Sequence, residues 1–132
     1  MGSRRRPNPV LYPPLIASME WLLSPAVGGA ARVGRTLRPL TQRVAAAGRA
    51  LGFAVPERHA DHIVGLYPAA GHPSAERLVE RLEGRGIHVA ARWGAVRVSP
   101  YLYNSHADVE RLCAALADLV AEAAATEPAP RL

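Results

Sequence analysis

The stretch Ala95-Val96-Arg97-Val98-Ser99-Pro100-Tyr101-Leu102-Tyr103-Asn104 constrains the fold more than any other part of the chain. Apolar and polar residues alternate over its first half, the period of a strand buried on one face. Val96 and Val98 fall on one side, Arg97 and Ser99 on the other. Pro100 cannot donate a ladder hydrogen bond and ends the strand. Tyr101 to Asn104 form a turn, and Ser105 caps the helix that follows, with Asp108 as the acid of a capping-box variant. The strand therefore has a core side and an open side, and Arg97 stands on the open one. A guanidinium fixed on a rigid strand suits a bidentate contact with a carboxylate or phosphate. From alternation alone a solvated arginine, the ordinary state of a charged residue, is the favoured reading.

After that strand, Val109, Leu112, Cys113, Leu116, Leu119, Val120 and Ala123 share one helical face. Before it, Ile87 to Ala91 reads as a strand, joined to the Arg97 strand by a tight hairpin turn at Arg92-Trp93-Gly94. Further upstream, Ser74 starts a helix with Ala75, Leu78, Val79 and Leu82 on its apolar face, closed by Gly84 or Gly86. His62 to Tyr67 is a third strand, stopped by Pro68, and Phe53-Ala54-Val55 is a short extended piece. Two helical stretches precede these elements. Leu15, Ile16, Met19, Leu22 and Leu23 form an apolar stripe ending at Ser24-Pro25. From Gly28-Gly29 to Gly52 the helical spacing resumes, with Pro39 in its middle. An interior proline costs about 3 kcal/mol, so the spacing predicts a kink, or two helices with Pro39 opening the second.

The expected fold is α+β: a small, mostly antiparallel sheet of about three strands with helices on one face, preceded by one or two helices. The expected organisation is a disordered lead-in over 1–12, a helical segment over 13–52, a small domain over 53–125 and a frayed tail over 126–132.

Composition removes several function classes. The chain has 132 residues and 16 basic against 11 acidic side chains, and all 16 are arginine. Three of these, Arg4, Arg5 and Arg6, sit in the lead-in, so the basicity is largely a tail. A basic stripe with interleaved aromatics, the footprint of nucleic-acid binding, is not present. No apolar run approaches the ~20 residues of a membrane helix, and prolines interrupt the region where a signal peptide would be apolar. The single cysteine, Cys113, excludes an internal disulfide, and a cytoplasmic location is the default. The five histidines, His59, His62, His72, His88 and His106, are scattered and do not make a set of three or four converging metal ligands. No metal-binding, catalytic or cofactor-binding residue emerges from spacing.

The run GIHVAARWGAVRVSPYLYNSHADVERLCAAL, Gly86 to Leu116, resembles the C-terminal segment of class V aminotransferase-like enzymes. These are fold-type I, pyridoxal-phosphate-dependent proteins that include cysteine desulfurases, selenocysteine lyases, kynureninases and isopenicillin-N-epimerase-like proteins. The specific part is R-V-S-P-Y-L-Y-N; weaker similarity extends over roughly residues 8–122. The resemblance implies that Arg97 binds the carboxylate of an amino-acid substrate, that Arg92 also reaches the cleft, and that Asn104 is structural. It implies a small domain whose cofactor-bearing large domain is not in this sequence, so that the chain is a truncated one.

Two departures narrow this. The family's cofactor is held as an imine on a lysine, and this sequence has no lysine. Cysteine desulfurases also carry a cysteine in a longer loop ahead of the motif arginine, where this chain has only Ala91-Arg92-Trp93-Gly94. The isopenicillin-N-epimerase-like and kynureninase-like branches are therefore nearer. The expectation is a chain inactive by itself, binding no pyridoxal phosphate covalently, whose partner is a separately encoded large domain or a second copy. A subunit of a split enzyme and a non-enzymatic basic binding module using Arg4-Arg5-Arg6 are the rival expectations. Nucleic acid and membrane are not expected as partners.

Overall fold

In the computed structural model, residues 9–126 are described. Contacts divide the chain into two compact units, one up to Gly34 and one from Arg35 onward. The Arg4-Arg5-Arg6 run and the tail prolines Pro128 and Pro130 lie outside the described residues.

The first unit holds a short 3-10 turn (Pro9–Leu11), helix α1 (Tyr12–Leu23) and the first residues of helix α2 (Gly29–Ala50). Pro13 and Pro14 sit in the first turn of α1, where their missing N–H groups cost nothing. The stripe is helical as its spacing predicts, yet no residue of α1 is buried. Leu15, Ile16, Met19 and Leu23 are each more than half exposed, at 54%, 54%, 52% and 68%.

The second unit contains the rest of α2, then β1 (Val64–Leu66), α3 (Ala75–Glu83), β2 (Ala90–Arg92), β3 (Ala95–Val98) and α4 (His106–Thr126). The three strands form one antiparallel sheet in the order β1-β3-β2, the α+β arrangement read from the sequence. Val64 opposes Val98 and Leu66 opposes Val96, so all four point to one face, and all four are buried. Leu37, Leu40 and Val44 of α2, Leu78 and Leu82 of α3, and Leu112, Leu116 and Leu119 of α4 complete the core.

Helix α2 runs as one helix through Pro39, which overrides the expectation of two helices. Burial of Leu37, Leu40, Thr41, Val44 and Ala45 around the proline offsets its cost. Thr41 is fully buried and spends its hydroxyl on two carbonyls, those of Arg38 and Asp61, each 3.1 Å away. Gly52 ends the helix in the left-handed region (φ +86°), with Phe53 N–H donating to Gly48 O and Gly52 N–H to Arg49 O, a Schellman closure. The same pattern ends α3: Gly86 takes φ +70°, Ile87 N–H donates to Leu82 O and Gly86 N–H to Glu83 O, so Gly86 rather than Gly84 is the left-handed cap. At the start of α4, Ser105 N–H donates to Asp108 Oδ2 at 2.7 Å and Asp108 N–H donates to Ser105 Oγ at 3.3 Å, the reciprocal capping box.

Arginine–carboxylate forks tie the helical side together. Arg43 of α2 grips Glu110 of α4 at 2.6 and 2.7 Å, and Arg38 grips Asp61 at 2.8 and 3.1 Å. Arg81 and Arg85, at the end of α3, pair with Glu122 and Asp118 of α4. The Arg43 and Arg38 hydrogen bonds hold the Glu110 and Asp61 carboxyls below their usual range, and the Ser105 backbone N–H does the same for Asp108. A carboxyl whose folded pKa is depressed stabilises the fold above its unfolded pKa and loses that contribution as pH falls through the folded value. Urea midpoints should therefore be flat near neutrality and decline below about pH 4, and Glu110→Gln should shrink the decline. The effect is modest, because Asp108 and Glu110 are exposed to water and Asp61 is only partly buried.

Candidate functional site

The register settles the side of the sheet away from the helices. Gly65 of β1 and Ala90 of β2 flank Arg97 of β3, and Arg92 opposes Ala95. Directly opposed residues share a face, and so do residues two apart on a strand. Arg97 and Arg92 therefore stand on the same open face, as diagonal neighbours across the β2–β3 pair. Both are exposed. Arg97 lies on the central strand, whose backbone is held by ladders on both sides.

The floor around Arg97 is low. Gly65 has no side chain, Ala90 and Ala95 have only a methyl, and the Tyr67 ring lies beside Gly65: a Cβ built there would meet Tyr67 Cε2 at 3.4 Å and Ala95 Cβ at 3.6 Å. The residues opposed to Arg97 on both flanking strands are small, while Ala95 beside it is buried and the Tyr67 ring lies next to Gly65. No acidic residue occurs in any of the three strands. Among the described residues, the Arg97 side chain makes no hydrogen bond or ion pair, and the Arg92 side chain makes one hydrogen bond, from Nη1 to its neighbour's carbonyl, Ala91 O, at 3.1 Å.

The expected turn Arg92-Trp93-Gly94 is one residue shorter in the structure. Arg92 ends β2, and Trp93-Gly94 alone make the reversal, with φ +49° and +77°. Two successive positive φ values are those of a type I′ hairpin turn, which matches the twist of its strands. Trp93 is an unfavourable residue for that first position, at a cost of about 1–2 kcal/mol, and it is 94% exposed. The strand expected over 87–91 begins only at Ala90, because Ser99 and Pro100 leave β3 there. Gly86 to Val89 and Val98 to Pro100 diverge and, with the start of α4, line a cleft of about 400 Å³.

That cleft is not the arginine face. It opens on the helix side, between Val98, Val109 and Leu112. Several of its polar groups are engaged within the chain: Asn104 Oδ1 accepts from Tyr101 N–H at 2.9 Å, Asp108 is bound to Ser105, and Arg111 donates to Arg85 O at 2.6 Å. Asn104 thus has a turn-forming bond of the kind expected for a structural residue.

The remaining candidates do not converge. His72 packs its ring 4.6 Å from that of Phe53 and accepts from Ala69 N–H, a structural role. Among the described residues, no three of His, Cys, Asp and Glu are grouped to hold a metal ion. Cys113 is buried in α4, and burial pushes its thiol above the usual range, which disfavours the thiolate a nucleophile needs. Among the described residues, no helix is long and apolar enough to cross a membrane.

No family model and no curated protein matches this sequence. Among solved structures, a NifS-like protein has a similar fold, with a TM-score of 0.60 at 18% sequence identity over 67% of this chain. The match covers 28% of that protein, so this chain spans little more than a quarter of its length. At this identity the likeness is one of fold.

Proposed function

We propose that this chain is the C-terminal small domain of a class V aminotransferase-like, pyridoxal-phosphate-dependent enzyme acting on an amino-acid substrate, and that Arg97 binds the substrate's carboxylate. The position of Arg97 supports this most: central strand, open face, small flanking residues and no partner of its own. The fold shared with a NifS-like protein and the R-V-S-P-Y-L-Y-N motif point the same way. In this reading residues 53–125 are the small domain, 13–52 connect it to a large domain, and the chain works in the cytoplasm.

When bound, pyridoxal phosphate supplies an electron sink at the substrate's α-carbon. The residues present do not fit that group by themselves. It needs a lysine amine, and the chain has none; an acid facing its pyridine nitrogen is also missing from the sheet. The contribution of this chain is to hold and orient a carboxylate, with the chemistry performed by a lysine-bearing partner. The exposed apolar surface of α1 suits contact with a large domain.

Two measurements test the reading. Treated with pyridoxal phosphate and borohydride, the chain should be modified only at its N-terminal amine; an adduct elsewhere overturns its inactivity alone. In an acetate titration followed by NMR, shifts should concentrate at the Arg97 side-chain N–H and the Gly65 and Ala90 amides and vanish in Arg97→Gln. Shifts spread evenly over the arginines overturn the assignment of Arg97.

A further inference from the structure

We propose that the open sheet face is a two-point site for a dicarboxylic amino acid, with Arg97 taking one carboxylate and Arg92 the other. This rests on the reading of Arg97 as a carboxylate binder and adds the class of substrate.

The argument is one of charge matching and register. Four arginines of the helical side, Arg38, Arg43, Arg81 and Arg85, have a carboxylate of the chain itself, whereas others, such as Arg49 and Arg111, bond only to carbonyls. On the open face two guanidiniums stand together, and the strands that carry them contribute no acid. Diagonal positions of an antiparallel pair lie roughly 7–8 Å apart at the backbone, within reach of two long side chains on one small ligand. Two like charges that close repel each other in the free protein. A ligand with one carboxylate relieves half of that, and a ligand with two relieves it fully.

The sheet enforces the pairing. Arg92 is the last residue of β2 and opposes Ala95, so the two-residue Trp93-Gly94 turn fixes it on the Arg97 face. A turn one residue longer would change the register that puts the two arginines on one face. Arg92 spends only Nη1 on Ala91 O, and its Nε and Nη2 are left for a ligand. Arg97 has its whole fork free, the arrangement that accepts a carboxylate bidentately. Gly65 and Ala90, the residues directly opposed to Arg97, carry nothing larger than a methyl, whereas Ala95, opposite Arg92, is buried, so a ligand is held by the two guanidiniums above the sheet and not by its floor.

L-Glutamate and L-glutamine separate the two claims, because they share size, α-carboxylate and α-ammonium and differ in the second charge. Binding to the full chain is followed through the side-chain N–H signals of Arg92 and Arg97. Glutamate should bind on the order of tenfold more tightly than glutamine, the gain expected when a second contact becomes intramolecular. Arg92→Gln should abolish that preference, and Arg97→Gln should weaken both ligands. Equal binding of the two at Arg97 overturns the dicarboxylate assignment and leaves the carboxylate reading standing. A preference that survives Arg92→Gln also overturns it, tracing the effect to net charge. Absence of any shift at Arg97 with either ligand defeats both.

Discussion

Leu116→Ala should lower the stability of the fold by about 2–5 kcal/mol. Leu116 is fully buried in the middle of α4, on the face that meets the sheet and the other helices. The truncation removes transfer energy and leaves a cavity that neighbouring helices, tied by the arginine forks, cannot easily close. Domains of this size hold only about 5–15 kcal/mol in total, so the loss shows as a large drop in the urea midpoint. Leu23→Ala is the matched control, since Leu23 is 68% exposed on α1 and should change stability by less than about 0.5 kcal/mol. A loss at Leu23 as large as at Leu116 would contradict the burial described for both.

Gly48→Val comes next. A helix normally gains from replacing glycine, about 1 kcal/mol for alanine, and the sequence alone marks Gly48 as a weak point in α2. In the structure a Cβ there would lie 2.6 Å from Leu66 Cδ2 and 3.3 Å from Val55 Cγ2. Leu66 is itself fully buried and cannot swing away. Overpacking of this kind costs about 1–3 kcal/mol, and the added methyls of valine meet the same wall. The expected result is a clear net loss in the urea midpoint. Gly84→Ala, whose Cβ would meet nothing closer than 3.5 Å and whose backbone is already helical, should be neutral or slightly stabilising. If Gly48→Val proves stabilising, α2 does not lie against β1 as described.

The same two residues show what could be read in advance. The α4 face was legible because its apolar spacing persists for four turns and its cap is a local motif. Val109, Leu112, Cys113, Leu116 and Leu119 are all buried, and Ser105 and Asp108 cap as their spacing implies. The β3 alternation was legible for the same local reason, and Arg97 does face away from the core. What depends on distant partners was not. The close approach at Gly48 is a property of Leu66, and the continuity of α2 through Pro39 is a property of what buries its flanks. The forks between Arg43 and Glu110 and between Arg38 and Asp61 join residues far apart in the chain. The candidate site lay between these cases. The outward direction of Arg97 followed from period two, but the face of Arg92 hung on whether the hairpin turn used two residues or three. Only the register decided it.

The hairpin tip has an optical consequence. Trp93 is almost fully in water at the end of the β2–β3 ribbon, and the other tryptophan, Trp21, is half exposed on α1. Neither indole is part of the buried core, so the intrinsic fluorescence of this protein is emitted from hydrated rings in the folded chain as in the unfolded one. Its emission colour is therefore nearly silent about folding. What remains for it to report is contact at the rim, where Trp93 stands one residue from Arg92.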